Sequence, residues 1–264
     1  MSRILTGLAL LSIGLTVIYL GGPLLFGWLF FISLLLCYEL TKLYQSQPIK
    51  PIIWLSYLLT ILLSSYYQLP GITPIWTNGW YIGLIALLIG SFMIEFLTRT
   101  IHAPKHPALL SIRIALISSL FLPYVYWIRT LDNGGLFLLF FFIIVWGTDT
   151  FAYYGGKLFG KTQLSPLSPK KTIEGAIIGM IMSTAVANVM AYYLFDTWSL
   201  RFIVGALFLS ALSQIGDLHQ SLTKRTLNAK DSSQLLPGHG GIYDRADSTL
   251  FVAPIFYYML HFFL

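Results

Sequence analysis

The chain has 264 residues, 56% of them hydrophobic and 10% charged, with a mean hydropathy of +0.76. A soluble domain carries about 25% charged and about 45–50% apolar residues, so water is excluded as the solvent for most of this surface and the chain belongs in a bilayer. The net charge of +6 reads as cytoplasmic loops facing anionic lipid rather than as a nucleic-acid surface, and the single Cys37 excludes an intramolecular disulfide and any CxxC metal site.

Apolar stretches close to the roughly 20 residues that a crossing needs run over 4–20, 24–40, 51–67, 79–98, 107–128, 135–154, 173–195, 201–219 and 249–264. Backbone amides in hydrocarbon must bond within their own segment, and nothing here alternates like a barrel strand. The expected fold is therefore all-α, a polytopic integral membrane bundle of about nine transmembrane helices. The opening MSRILTGLALLSIGLTVIYLGG has the single basic residue and apolar run of a signal sequence but no clear small-residue cleavage site, so it reads as the first span. With the amino terminus placed in the cytoplasm, Arg3, Lys42, Lys50, Arg99, Lys105, Lys157, Lys161, Lys170, Lys171, Lys224, Arg225, Lys230 and Arg245 lie inside, and only Arg129 and Arg201 lie outside. That asymmetry sets the orientation, with the carboxyl terminus outside. Residues 1–134 are expected to form a scaffold of spans with oligomer contacts, and 135–264 the catalytic region. The latter carries two cytoplasmic loops, 155–172 and 220–248, which together hold eight of the sixteen basic residues. Loops of this composition on a helical scaffold are where sites are built.

Asp217, Asp244 and Asp247 stand at the inner end of the eighth span and just before the ninth, so the chain brings them to one membrane face. Like charges at a low-dielectric boundary repel unless a cation joins them, and hard oxygen ligands favour Mg²⁺. In a helical DRAD, Asp244 and Asp247 share a face. Two readings stand at this level: a metal cluster, or a solvated ion network with Lys224, Arg225, Lys230 and Arg245. In PGHGG, residues 237–241, the glycines allow a sharp turn that presents backbone N–H groups to an anion, with His239 as a further donor or as a plain turn residue.

Gly155–Thr162, GGKLFGKT, satisfies the pattern G-x-x-x-x-G-K-[ST], yet a membrane span precedes it and a proline-containing stretch follows, where the phosphate-loop fold needs a strand and a helix. Asp149 is embedded in the sixth span and must face the bundle or a wet cavity. Glu39, Glu95 and Arg113 are embedded too, and mutual pairing accounts for them. The Phe-rich run 137–143 reads as lipid-facing surface.

The stretch Ser221–Asp247, SLTKRTLNAKDSSQLLPGHGGIYDRAD, resembles the signature of the bacterial phosphatidate cytidylyltransferase (CDP-diacylglycerol synthase) family: Ser, Lys-Arg, Lys-Asp, a P-x-H-G-G turn, Asp-Arg and a final Asp. Ile215-Gly216-Asp217-Leu218 is similar to the Gly-Asp-Leu that precedes it, and 146–175 to a second conserved region with a Ser-Pro-x-Lys-Thr element. The resemblance covers about the last 120 residues. Thr223 and Ala246 depart from the pattern, both at packing positions.

The resemblance implies an all-helical, often dimeric enzyme of the inner cell membrane. It would join CTP to phosphatidate of the inner leaflet, giving CDP-diacylglycerol and pyrophosphate. It implies Mg²⁺ at Asp217, Asp244 and Asp247, with a monovalent ion such as K⁺ as companion. Lys224, Arg225 and Arg245 then face the reacting phosphates, and Lys170, Lys171, Thr172, Ser221, Lys230, Asp231, His239, Gly240 and Gly241 are candidate substrate contacts. Rival readings are another CTP-dependent lipid cytidylyltransferase, a polyprenol kinase or, from a different class, a carrier for an anionic solute. Carriers place charge near the midplane of repeated halves, whereas here the ionisable groups crowd one face.

Overall fold

A computed structural model describes residues 2–66, 79–98, 105–119, 122–166, 168–196, 198–236 and 240–263. The expected outer connection 68–78 and His239 lie outside the described residues. Ten helices follow in order among those described: α1 (Ser2–Leu20), α2 (Gly22–Tyr44), α3 (Ile53–Tyr66), α4 (Gly79–Thr98), α5 (Pro107–Ser119), α6 (Leu122–Thr130), α7 (Gly134–Phe159), α8 (Ile173–Phe195), α9 (Leu200–Thr226) and α10 (Tyr243–Phe263). The fold is all-α, as expected. Among the described residues, five stretches are long and apolar enough to cross a membrane: α2, Pro107–Thr130 across α5 and α6, α7, α8 and α9.

Breaks follow the punctuation of the sequence. The chain turns between α1 and α2 at Gly21 and Gly22, both with positive φ, and Pro23 opens the next helix. One expectation needs correction. Residues 155–159, 220–226 and 243–248, expected in loops, are helical. The helices run on past their apolar runs because each added residue gains an intrahelical bond, and Lys, Leu, Gln and Arg are good helix formers.

The chain divides into two compact units, Met1–Trp127 with Leu222–Ala246, and Ile128–Ser221 with Asp247–Leu264. In the first, the Ser111 hydroxyl of α5 donates to Ile52 O at 3.2 Å and accepts from Ile52 N at 2.7 Å, tying α5 to the start of α3. Arg113 donates to both oxygens of Glu95 at 2.7 Å each, a bidentate pair. The expected pairing of embedded charges therefore holds for these two. Glu39 does something else.

In the second unit α7 and α8 run antiparallel with small residues between them. A Cβ added at Gly179 would stand 2.8 Å from both Ala152 Cβ and Thr148 O, and one at Gly175 would stand 2.8 Å from Gly156 Cα. Such backbone approach is how helices associate where lipid offers no hydrophobic drive. Thr148 of α7 lies 3.0 Å from the Ser183 hydroxyl of α8 and 2.7 Å from that of Ser210 on α9, a buried hydroxyl cluster joining three helices. The Phe-rich run is a second correction. Phe137, Phe140 and Phe141 are buried, with Phe137 stacked on Phe195 at 4.9 Å and Phe140 edge-on to Phe202 at 5.4 Å. Aromatic rings prefer one another's edges and offset faces to lipid tails when a bundle brings several together.

Candidate active site

In the second unit, Asp149, Ala152, Tyr153, Gly156 and Lys157 of α7, Lys170, Lys171 and Thr172 of the following loop, Ala176 of α8, and Gln214 and Asp217 of α9 line a cavity of about 370 Å³. The helices position each group. Asp149, Tyr153 and Lys157 recur every four residues and so share one face of α7. Gln214 donates to Ala176 O at 3.1 Å, bracing α9 against the start of α8. Thr172 is the N-cap of α8 and accepts from Gly175 N at 3.1 Å.

The loop between α7 and α8 is folded back on itself, with Leu164 N donating to Lys171 O at 2.8 Å and Ile173 N to Thr162 O at 2.9 Å. Glu174 closes it, accepting from Lys161 N and Thr162 N at 3.1 Å. Those amides belong to the phosphate-loop pattern. They face a carboxylate of the chain itself and follow a helix, not a strand, so the segment does not form a phosphate loop of the NTPase kind.

Lys171 donates to Asp217, and both are half-buried. Asp247, whose carboxylate accepts from Ser248 N at 2.7 Å, lies on the first turns of α10 ahead of the apolar stretch that starts near 249. Burial first, then the charge of Asp217 and that of Asp149, pushes its carboxyl above the ordinary carboxylate range. Of the two surroundings open to an embedded Asp149, bundle or wet cavity, the cavity is the one it lines. Ser221 is half-buried on α9.

In the first unit the signature residues form a separate network. Asp244 Oδ1 accepts from Lys224 Nζ at 2.6 Å, and Oδ2 accepts from Ser232 N at 2.9 Å, Ser232 Oγ at 3.0 Å and Gly241 N at 2.9 Å. Burial alone would raise the Asp244 carboxyl, but the Lys224 bond and the Gly241 and Ser232 amides outweigh it and hold it below the usual range. Gly240 takes φ +80 in this turn. The anion that Gly241 N–H faces is the carboxylate three residues on. Arg225, Lys230, Asp231 and Arg245 are exposed.

Sequence reasoning missed Glu39, Lys157, Gln214 and Glu174. The four-residue spacing from Asp149 could have found Lys157; no local signal points from Glu39 or Gln214 to their partners.

Among the described residues no group of three His, Cys, Asp or Glu side chains is drawn together as a metal centre. The second unit nevertheless offers, in kind, what a hard divalent ion takes: carboxylates of Asp217 and Asp149 whose charge is felt by that of Asp247, with one lysine on Asp217. Three lysines lining one cavity, Lys157, Lys170 and Lys171, suit a polyanionic substrate. Apolar helices that end in such a site define a membrane enzyme of phosphate chemistry.

The model of the cytidylyltransferase family matches residues 1–263 of this chain. The chain is 34% identical over 260 residues to the phosphatidate cytidylyltransferase of Staphylococcus haemolyticus (strain JCSC1435), covering 96% of each protein. It is 34% identical over 259 residues to that of Staphylococcus epidermidis (strain RP62A) and over 257 residues to that of Staphylococcus aureus (strain COL), again covering 96% of each. The chain belongs to the cytidylyltransferase family and is a nucleotidyltransferase, which sets the carrier reading aside.

Proposed function

We propose that the protein is a phosphatidate cytidylyltransferase of the cell membrane: it transfers CMP from CTP to phosphatidate, giving CDP-diacylglycerol and pyrophosphate. The observation that carries this reading is the cavity lined by Lys157, Lys170, Lys171, Asp149 and Asp217, in which Lys171 donates to Asp217. The relatives' shared name and the signature support the same substrates.

The chemistry asks little of a general base. The second pKa of a phosphomonoester is about 6, so the lipid phosphate is already largely dianionic at neutral pH and attacks the α-phosphorus of CTP directly, with pyrophosphate leaving. The protein's task is to hold two anions in line and offset their charge. Lys170 and Lys171 suit the nucleotide phosphates, and Lys224, Arg225 and Arg245 of the signature suit the phosphates at the reacting end. Mg²⁺ is the proposed cation, held by Asp217 and Asp247, and K⁺ is its proposed companion; Asp244 enters as a ligand only through the signature's resemblance. When bound, the divalent ion supplies polarisation of the α-phosphoryl group and charge for the departing pyrophosphate. Diacylglycerol tails leave a bilayer only at about 0.8 kcal/mol per exposed CH₂, so the site must work at the interface, on the cytoplasmic side where CTP is made.

The test is incubation of the purified protein with radiolabelled CTP, Mg²⁺ and phosphatidate. The expected result is label in a lipid whose formation equals pyrophosphate release and stops in excess chelator. Full turnover in chelator would overturn the cation assignment, and transfer of phosphate alone to the lipid would favour a kinase.

A further inference from the structure

Glu39 lies in α2 with 0% of its surface exposed, in a helix rich in leucine and phenylalanine. A buried carboxylate is costly unless donors surround it. This one accepts three hydrogen bonds of its own and shares the proton of a fourth donor, the Ser232 hydroxyl, with Asp244, all within one short segment of the signature. Oε1 accepts from Ser233 Oγ at 2.6 Å and from Ile242 N at 2.8 Å, and Oε2 accepts from Ser232 Oγ at 3.0 Å and from Tyr243 N at 2.7 Å. Ile242 and Tyr243 carry amides at the start of α10 that no helical carbonyl can satisfy, so Glu39 caps that helix from a distant part of the chain. Just past the end of α2, Gln47 Nε2 donates to Leu227 O at 3.4 Å.

Glu39 is linked onward. The Ser232 hydroxyl stands 3.0 Å from both Glu39 Oε2 and Asp244 Oδ2, and Asp244 holds Lys224 at 2.6 Å. A Cβ built on Gly241 would collide with Ser232 Oγ and with both oxygens of Glu39. The loop is thus shaped around this carboxylate.

We propose that Glu39 is a positioning residue for cytidylyl transfer: through Ser232 it fixes the turn that carries Asp244, and through Asp244 it sets the place of Lys224. This rests on the reading that Asp244 and Lys224 serve the transfer. Ordering a charged pair in advance is worth much in a reaction that depends on placement, where a displacement of about 1 Å can cost 100-fold.

The experiment pairs activity with a direct report of loop order. In a Cys37→Ala background, Gln234→Cys carries a nitroxide on the exposed face of the loop, and the same protein is assayed for CTP-dependent product. Glu39→Gln places an NH₂ group against hydrogen-bond donors. It is expected to lower kcat about 100-fold, with KM for CTP changed far less, and to convert the nitroxide spectrum from ordered to mobile. Glu39→Asp is expected to recover part of both. Ser232→Ala, which removes the shared hydroxyl and leaves each carboxylate three other partners, is expected to lower kcat about tenfold with an unchanged unfolding midpoint. That variant keeps the test open if Glu39→Gln fails to fold. Full activity in Glu39→Gln and Ser232→Ala beside a dead Asp244→Asn overturns the positioning role while the reading of the site stands. Full activity in Asp244→Asn overturns the reading itself. A mobile loop with undiminished kcat also overturns the proposal, since order would then not matter to the transfer.

Discussion

Asp217 sits half-buried on α9 with Lys171 on one oxygen, and Asp247 feels its charge together with that of Asp149. Removing its charge leaves Lys171 able to turn to water and takes away one ligand of the proposed cation. Asp217→Asn is therefore expected to lower turnover at least about 100-fold, the scale of losing a preorganised electrostatic group, while the protein still purifies as a folded species; turnover near wild type would sink its role. Gly241 gives a contrasting case. Its own side chain does nothing, but a methyl there meets Ser232 and Glu39. Gly241→Ala should cost about 1–3 kcal/mol as an overpacked site, read as a lower unfolding midpoint together with lost activity. Charges that stand in an apolar sequence are conspicuous, which is how Asp217 draws notice, whereas Lys224 and Asp244 stand in a polar stretch and are picked out by its resemblance to a family signature. Glu39 is as conspicuous, but its donors lie 193 to 204 residues away in sequence, a separation that no periodicity reveals.

At the scale of elements, the order of apolar runs is legible because hydrocarbon permits only helices with internal bonds. Their ends are not. The run over 201–219 predicts a helix that stops near Asp217, yet α9 continues to Thr226 and carries Lys224 and Arg225 on a rigid helical end. Polar helical turns beyond the membrane leave no hydropathy signal, so the sequence assigns them to loops. The pairing of α7 with α8 is likewise hidden, since glycines in apolar runs have many uses. Here they set the approach. A leucine at Gly179 would have to displace Ala152 or the Thr148 carbonyl, so Gly179→Leu is expected to part the two helices and to disorder the Lys170–Lys171 loop that follows α7. The measurement is the unfolding midpoint in detergent, expected to fall by several degrees. Thr148→Val removes hydroxyl partners without adding volume and should cost less, about 0.6 kcal/mol as for other interhelical bonds in bilayers. A Gly179→Leu protein as stable as wild type would show that the interface yields freely.

For the whole molecule, charge, length and aromatic placement all bear on the proposed orientation. Helix α8 has 23 residues, which at 1.5 Å each span about 34 Å, slightly more than the roughly 30 Å of hydrocarbon. The segments at its two ends must then emerge on opposite sides. Before it lies the loop with Lys161, Lys170 and Lys171; after it come Trp198, Ser199 and Arg201. Exposed Tyr153 and Tyr154 stand near one end of the antiparallel α7 and α8 pair, and exposed Tyr192, Tyr193 and Trp198 near the other, the placement of side chains that prefer the two interfaces. The excess of lysine supports the proposal that the first end faces the cytoplasm, where CTP and the anionic leaflet both are. A membrane-impermeant maleimide tests this in a Cys37→Ala background. Gln163→Cys is expected to label in inside-out vesicles and to stay protected in intact cells, and Ser199→Cys to show the reverse. Labelling of both from one side would mean that α8 does not cross; exchange of the two patterns would put the lysine cavity outside, away from its nucleotide, and end the proposal that this cavity transfers CMP.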